Sequence, residues 1–255
     1  MQYSRAFIDA LQFVWGEGFL SPGGPEEGAA LLAGETLAGK RVLDIGAGVG
    51  GIDALLVASH RAGEVVGIDV EPLLIESARS LIARRRLADR ISFQLVDPGP
   101  LPFADASFDV VFSKDAIVHI PDKAALYREV LRVLRPGGRF LASDWLFAEG
   151  AETSPAVVAW LAGSPLTFAY VTPEAAKEAL VGAGLAEVAI VERTSVLRAL
   201  NREEVTTLAG PARERLAALV GAEMAEQRLH GARARQTVLD QGDLRPCHLK
   251  GSKPG

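Results

Sequence analysis

Five short apolar runs, at residues 41–45, 64–69, 91–97, 108–113 and 139–144, alternate with stretches whose apolar residues recur about one helical turn apart. Leu73, Leu74, Ala78, Leu81 and Ile82 form one such face. Leu126, Val130, Leu131, Val133 and Leu134 form another, which Asp122 can cap. Strands that alternate with helices of this length are joined by crossovers. The chain is therefore held to a parallel sheet covered on both faces, an α/β fold. Arg135-Pro136-Gly137-Gly138 reads as the stop and turn before the fifth run. Beyond it, Thr172-Pro173-Glu174 starts a helix to about residue 181, and 187–194 reads as a strand. Residues 201–235 are helical, with breaks at Gly210-Pro211 and Gly221. Residues 245–250 read as a last strand, which Pro246 would confine to an edge or a strand start.

The 255 residues, 49% of them hydrophobic, suffice for one large domain with a full core. A net charge of −5 offers nothing to attract nucleic acid, and no apolar run approaches the length that spans a bilayer. The single cysteine, Cys247, excludes an internal disulfide and a cysteine-built zinc site. The histidines have no ligand-spaced partners, so no metal is expected. Residues 1–19 lack the basic and apolar regions of a secretory signal. With the reduced cysteine, this makes a cytoplasmic location the expectation. Five of the 16 aromatic residues, Tyr3, Phe7, Phe13, Trp15 and Phe19, fall in that same segment. They read as a docking stripe or as a cover over a ligand.

A glycine loop, Gly46-Ala47-Gly48-Val49-Gly50-Gly51, follows the first run and opens a helix. Gly46 permits the tight turn, and Gly48 lets a ligand approach the backbone. Two ligand classes share this pattern, dinucleotides and S-adenosylmethionine, and Asp69 stands at the distance of a ribose-binding acid in either. Asp44, just beneath the loop, favours the second class. Its carboxylate would repel a pyrophosphate but suits a cationic amino-acid head. Asp97, at the end of the third run, is placed to accept from an adenine amino group.

Larger blocks sharpen the resemblance. The segment Leu101-Pro102-Phe103-Ala104-Asp105-Ala106-Ser107-Phe108-Asp109-Val110-Val111 and the turn at Arg135–Gly138 resemble those of class I methyltransferases. Phe13 to Gly24 and Ser113-Lys114-Asp115-Ala116-Ile117-Val118-His119-Ile120 resemble blocks of the phosphoethanolamine (phosphobase) N-methyltransferases. The similarity covers residues 2–145 well and the remainder loosely. It implies a Rossmann-like, seven-stranded, mostly parallel sheet of order 3-2-1-4-5-7-6 within one methyltransferase domain, 1–255. Residues 1–39 would be an N-terminal lid segment, 40–144 the donor-binding core, and 145–255 substrate-cover insertions and C-terminal strands.

The resemblance also implies site residues. S-adenosylmethionine, which leaves as S-adenosylhomocysteine, would be held by Leu20, Ser21, Asp44, Gly46, Ala47, Gly48, Asp69, Val70, Asp97, Pro98 and Lys114. Tyr3 and His119 would form a catalytic latch, with Tyr3 hydrogen-bonded to the imidazole. His119 would take the proton of the acceptor amine, and Asp115 would stabilise the ammonium. No arginine occurs in 145–177 to meet a phosphate, and Arg245 or Lys250 would have to substitute. An aromatic pocket of Trp15, Trp145, Phe168 and Tyr170 would suit a less charged amine. The expected partner is a small-molecule methyl acceptor, with no nucleic acid and no membrane, for a monomer or homodimer. O- or C-methylation on the same scaffold, a nicotinamide oxidoreductase and a non-catalytic S-adenosylmethionine sensor remain open alternatives.

Overall fold

A computed structural model describes residues 3–255. The apolar runs form β1 (Arg41–Ile45), β2 (Glu64–Asp69), β3 (Ile91–Leu95), β4 (Phe108–Lys114) and β5 (Leu134–Phe147), followed by β6 (Ala186–Glu192) and β7 (Leu244–Ser252). They build one sheet of order β3-β2-β1-β4-β5-β7-β6, the order the resemblance implies. Strands β1 to β5 are parallel, and β7 runs antiparallel to β5 and β6.

Strand alternation sends β1 side chains to two separate cores. Val42 joins Val65, Val110 and Phe112 against Leu31, Ile52, Leu56 and Ile82. Leu43 and Ile45 join Val66, Val111 and Phe140 against Tyr127, Val130 and Leu180. The first core is covered by α2 (Gly24–Leu31), α3 (Gly51–Ala58) and α4 (Pro72–Arg84), the second by α5 (Lys123–Val133) and α7 (Pro173–Gly182). Both caps read from sequence form: Ala125 N donates to Asp122 and Ala175 N donates to Thr172.

Over the carboxyl ends of the strands lie α1 (Arg5–Trp15), α6 (Pro155–Ala162), α8 (Thr194–Ala209), α9 (Ala212–Val220) and α10 (Ala222–Gln241). Helix α1 docks through Ala10, Phe13 and Val14 onto Leu208, Leu216, Ala225 and Leu229. No helix among the described residues is long and apolar enough to cross a membrane.

Three local expectations change. Arg135–Gly138 is not a free turn but a bulged stretch within β5. Leu134 pairs with Phe108, the register then shifts, and Gly137 and Gly138 exchange backbone hydrogen bonds with Lys253. Pro246 lies in an interior strand, opposite Trp145. The ladder of β6 ends at Glu192–Cys247, one residue away, so no β6 carbonyl needs a donor from Pro246. The strand expected at 187–194 stops at Glu192 because Arg193 N turns to Pro246 O and Thr194 opens α8.

Candidate active site

The carboxyl ends of β1 to β5 open into a cavity of about 2100 Å³. At its floor Gly46 has φ +77°, and an added Cβ would lie 2.2 Å from the Ala116 methyl. Glycine is therefore required both by conformation and by the close approach. The amides of Gly46 and Ala47 donate to Ile68 O, which ties the loop to β2. Asp69 holds it further: Oδ2 accepts from Gly48 N at 3.0 Å and Oδ1 from Glu71 N at 3.0 Å. Each oxygen keeps lone-pair capacity for another donor.

Under the loop, Asp44 Oδ1 and both oxygens of Asp53 are buried with no hydrogen-bond partner among the described residues. Burial first, then the nearby Asp53 and Asp69 carboxylates, pushes the Asp44 carboxyl well up. Burial pushes Asp53 up to about 8. A cationic ligand group would relieve this cluster and a phosphate would worsen it. The amino end of α3 is also partly engaged. Gly51 N donates to Gly18 O at 3.0 Å, and Gly18 N donates to Gln12 Oε1 at 2.8 Å. One amide of this helix terminus is therefore already taken, which together with the buried carboxylates disfavours a pyrophosphate here. The donor set instead fits S-adenosylmethionine, which carries a cationic head and no phosphate. Val70, Asp97 and Pro98 line the same cavity.

The approach of Gly18 to Gly51 gives a stability prediction. A Cβ on Gly51 would sit 2.2 Å from Gly18 O. Gly51→Ala should cost about 1–3 kcal/mol and free the segment at 16–24 from the loop. Thermal melting and limited proteolysis check this; unchanged melting with an equally protected segment would refute the close fit.

Strand β4 delivers the other end of the site. Lys114 Nζ donates to Asp115 Oδ2 (2.6 Å), Ser21 Oγ (2.7 Å) and Pro22 O (3.0 Å). All three of its protons are committed, so Lys114 lines the cavity and pins the 20–22 segment through these contacts. Ser21 is held by the same contact, and Leu20 packs over Gly48. Asp115 sits at φ +55° and its Oδ1 accepts from Ser143 Oγ at 2.7 Å. A turn of 3-10 helix, Ile117–His119, then presents the imidazole. His119 Nδ1 lies 2.6 Å from Thr167 O. A carbonyl only accepts, so Nδ1 carries the proton and Nε2 the lone pair. Burial lowers the His119 pKa, so the ring is neutral at neutral pH.

Tyr3 lines the cavity but forms no hydrogen bond with His119. It packs with Leu20 and Leu73 against Ile8, Val49 and Leu74, at the Asp69 end. Its apolar contacts with α1 and α4 outweigh a reach across the cavity. Burial first, with the Asp69 and Glu71 charges, pushes its phenol pKa up. Trp15, Trp145 and Phe168 line the cavity, with Trp145 stacked on Phe168 at 6.3 Å. Tyr170 does not line it: its ring packs on Phe147 at 4.4 Å, behind the wall. Trp160 takes that place in the wall.

The cations also differ from expectation. Arg245 pairs with Glu192 and Lys250 with Glu35, and neither lines the cavity. Arg228 and Arg235 of α10 do line it, and both pair with the buried Glu204. Arg235 Nε also donates to Asn201 Oδ1 at 2.6 Å, and its guanidinium lies 5.5 Å from the Trp145 ring centre. One carboxylate against two guanidiniums leaves a positive charge in excess. The sequence signal was the seven-residue spacing, two helical turns, that puts both arginines on one face.

A methyltransferase-domain family model matches residues 37–169, just over half the chain. The chain belongs to this methyltransferase family. Its members use S-adenosylmethionine, the donor the loop and its carboxylates fit. Phosphoethanolamine N-methyltransferase of Triticum aestivum is 36% identical over 153 residues, 59% of this chain and 29% of that one. Tocopherol O-methyltransferase, chloroplastic, of Arabidopsis thaliana is 37% identical over 121 residues, 48% of this chain and 34% of that one. The matches to these curated relatives thus span about a third of the relatives' own length or less. Among solved structures, phosphoethanolamine N-methyltransferase 2 of Haemonchus contortus, in complex with phosphomonomethylethanolamine and S-adenosylhomocysteine, superposes with a TM-score of 0.92. It is 24% identical and covers 100% of this chain and 59% of its own, a likeness of fold.

Proposed function

We propose that this methyltransferase N-methylates a small amine that carries an anionic group, with His119 as general base. The observation that carries the reading is the commitment of Nδ1 to Thr167 O, which leaves the Nε2 lone pair for a proton. S-adenosylmethionine supplies an electrophilic methyl carbon on a sulfonium. The chain holds the two partners in line, and alignment supplies much of the acceleration of a displacement. A protonated amine has no lone pair, so Nε2 first removes its proton. Asp115, already bonded to Lys114 and Ser143, is fixed where it can stabilise a remaining ammonium charge. The aromatic wall of Trp15, Trp145, Trp160 and Phe168 excludes water and meets cationic or apolar surface. Tyr3 closes the donor end, and α1 with the 18–22 segment serves as its cover.

The anionic group would meet the surplus charge of Arg228 and Arg235. The test is Arg235→Met, assayed with an amine bearing a phosphate or carboxylate and with its neutral analogue. The KM of the anionic acceptor should rise about 10–100-fold, the worth of a charge-assisted hydrogen bond, with donor affinity unchanged. Equal effects on both acceptors would count against an anionic substrate.

A further inference from the structure

Behind the His119 turn lies a buried polar group that the chemistry above does not use. Lys123, on α5, donates through Nζ to Ile117 O at 2.8 Å and Ile120 O at 3.0 Å. Asp144, on β5, accepts at Oδ1 from Val118 N at 2.7 Å. Asp144 is fully buried and Lys123 nearly so. These three hydrogen bonds land on residues 117, 118 and 120, on either side of His119. The backbone that aims the imidazole is thus held from α5 and β5, while Thr167 O holds the ring from the opposite side.

An ammonium is a costly way to satisfy two carbonyls in an interior, because a neutral amide would do so with a smaller desolvation penalty. What only a cation adds is a positive charge beside the imidazole. We propose that Lys123 and Asp144 are positioning residues for His119, fixing its turn from behind and setting a cation, rather than a neutral amide, against that turn. The proposal rests on reading His119 as the base.

The charged and polar groups around the ring come from four elements. Burial is the largest influence lowering its pKa, and Lys123 acts in the same direction. Thr167 O, from the segment between α6 and α7, and Asp115, after β4, act in the other. Asp115 is itself engaged by Lys114. Asp144 has its other oxygen, Oδ2, buried without a hydrogen-bond partner among the described residues; burial pushes the carboxyl up to about 7 and the Lys123 charge draws it back.

The test needs no acceptor. Imidazole NMR signals of the ligand-free chain are followed against pH, with His119 assigned by its loss in His119→Gln. Lys123→Gln keeps a donor for the two carbonyls but removes the charge, so the His119 midpoint should move to higher pH. Lys123→Arg keeps the charge and should leave it near the native value. Asp144→Asn retains a side-chain oxygen for Val118 N and should move the midpoint no higher. An unmoved midpoint in a natively folded Lys123→Gln would overturn the proposal, as would a rise in Asp144→Asn. Failure of the base reading is separable: it would show as undiminished turnover in His119→Ala, whatever this titration gives.

Discussion

His119→Ala should lower methyl-transfer turnover by about two or more powers of ten while leaving donor affinity nearly unchanged. The imidazole lines the cavity against Phe168 at 5.2 Å, and its ring nitrogen Nδ1 is held by Thr167 O rather than by the glycine loop or Asp69. Its removal deletes the proton acceptor but none of the groups placed for the donor. The same residue sets a pH dependence. Burial holds the imidazole pKa below its ordinary value, so the ring is a competent base at neutral pH. Turnover should fall only as the pH drops through that lowered value and Nε2 becomes occupied by a proton. Steady-state rates across the acidic range, with equilibrium titration of the donor, check both halves. A variant with native turnover would make His119 a packing residue of the aromatic wall.

Asp69→Ala should act on the other half of the site. Its two oxygens anchor Gly48 N and Glu71 N, and their remaining lone pairs face the cavity. Alanine removes the loop anchor and the ribose acceptor together. Losing charge-assisted hydrogen bonds of this kind costs about 1.5–3 kcal/mol, so the donor Kd should rise about 10–100-fold. Calorimetric titration with S-adenosylmethionine measures it. Unchanged affinity would show that the ribose lies elsewhere. Asp69→Asn should fall between the two, since an amide keeps one acceptor oxygen.

Much of this was legible from local pattern. The alternation of apolar runs and helical faces gave β1 to β5, because strand and helix periodicities are properties of neighbouring residues. Asp122 and Thr172 were readable as caps for the same reason. Gly46 and Gly48 announced a loop whose shape depends on its own glycines. What escaped sequence reading came from distant parts of the chain. Arg228 and Arg235 reach the cavity from α10 because α8 and α10 pack together around Glu204 and Asn201. Tyr3 was assigned by resemblance and Tyr170 as part of an aromatic pocket, but packing against Leu73 and Phe147 decides where their rings go. Lys114 was read as a donor contact, and its three acceptors are set by the fold of the 20–22 segment over β4. Pro246 was read as marking an edge or a strand start; it stands third in β7, and the early end of β6 shows why a strand inside the sheet tolerates it there.

The central claim is that His119 prepares an amine nitrogen for methylation. It is tested most directly by incubating the chain with methyl-labelled S-adenosylmethionine and a panel of phosphoethanolamine, ethanolamine, amino acids and aromatic amines, then locating the label by mass spectrometry. The account predicts label on the nitrogen of an amine in the panel, lost in His119→Ala. Label found only on oxygen or carbon, or N-methylation undiminished in His119→Ala, would contradict it.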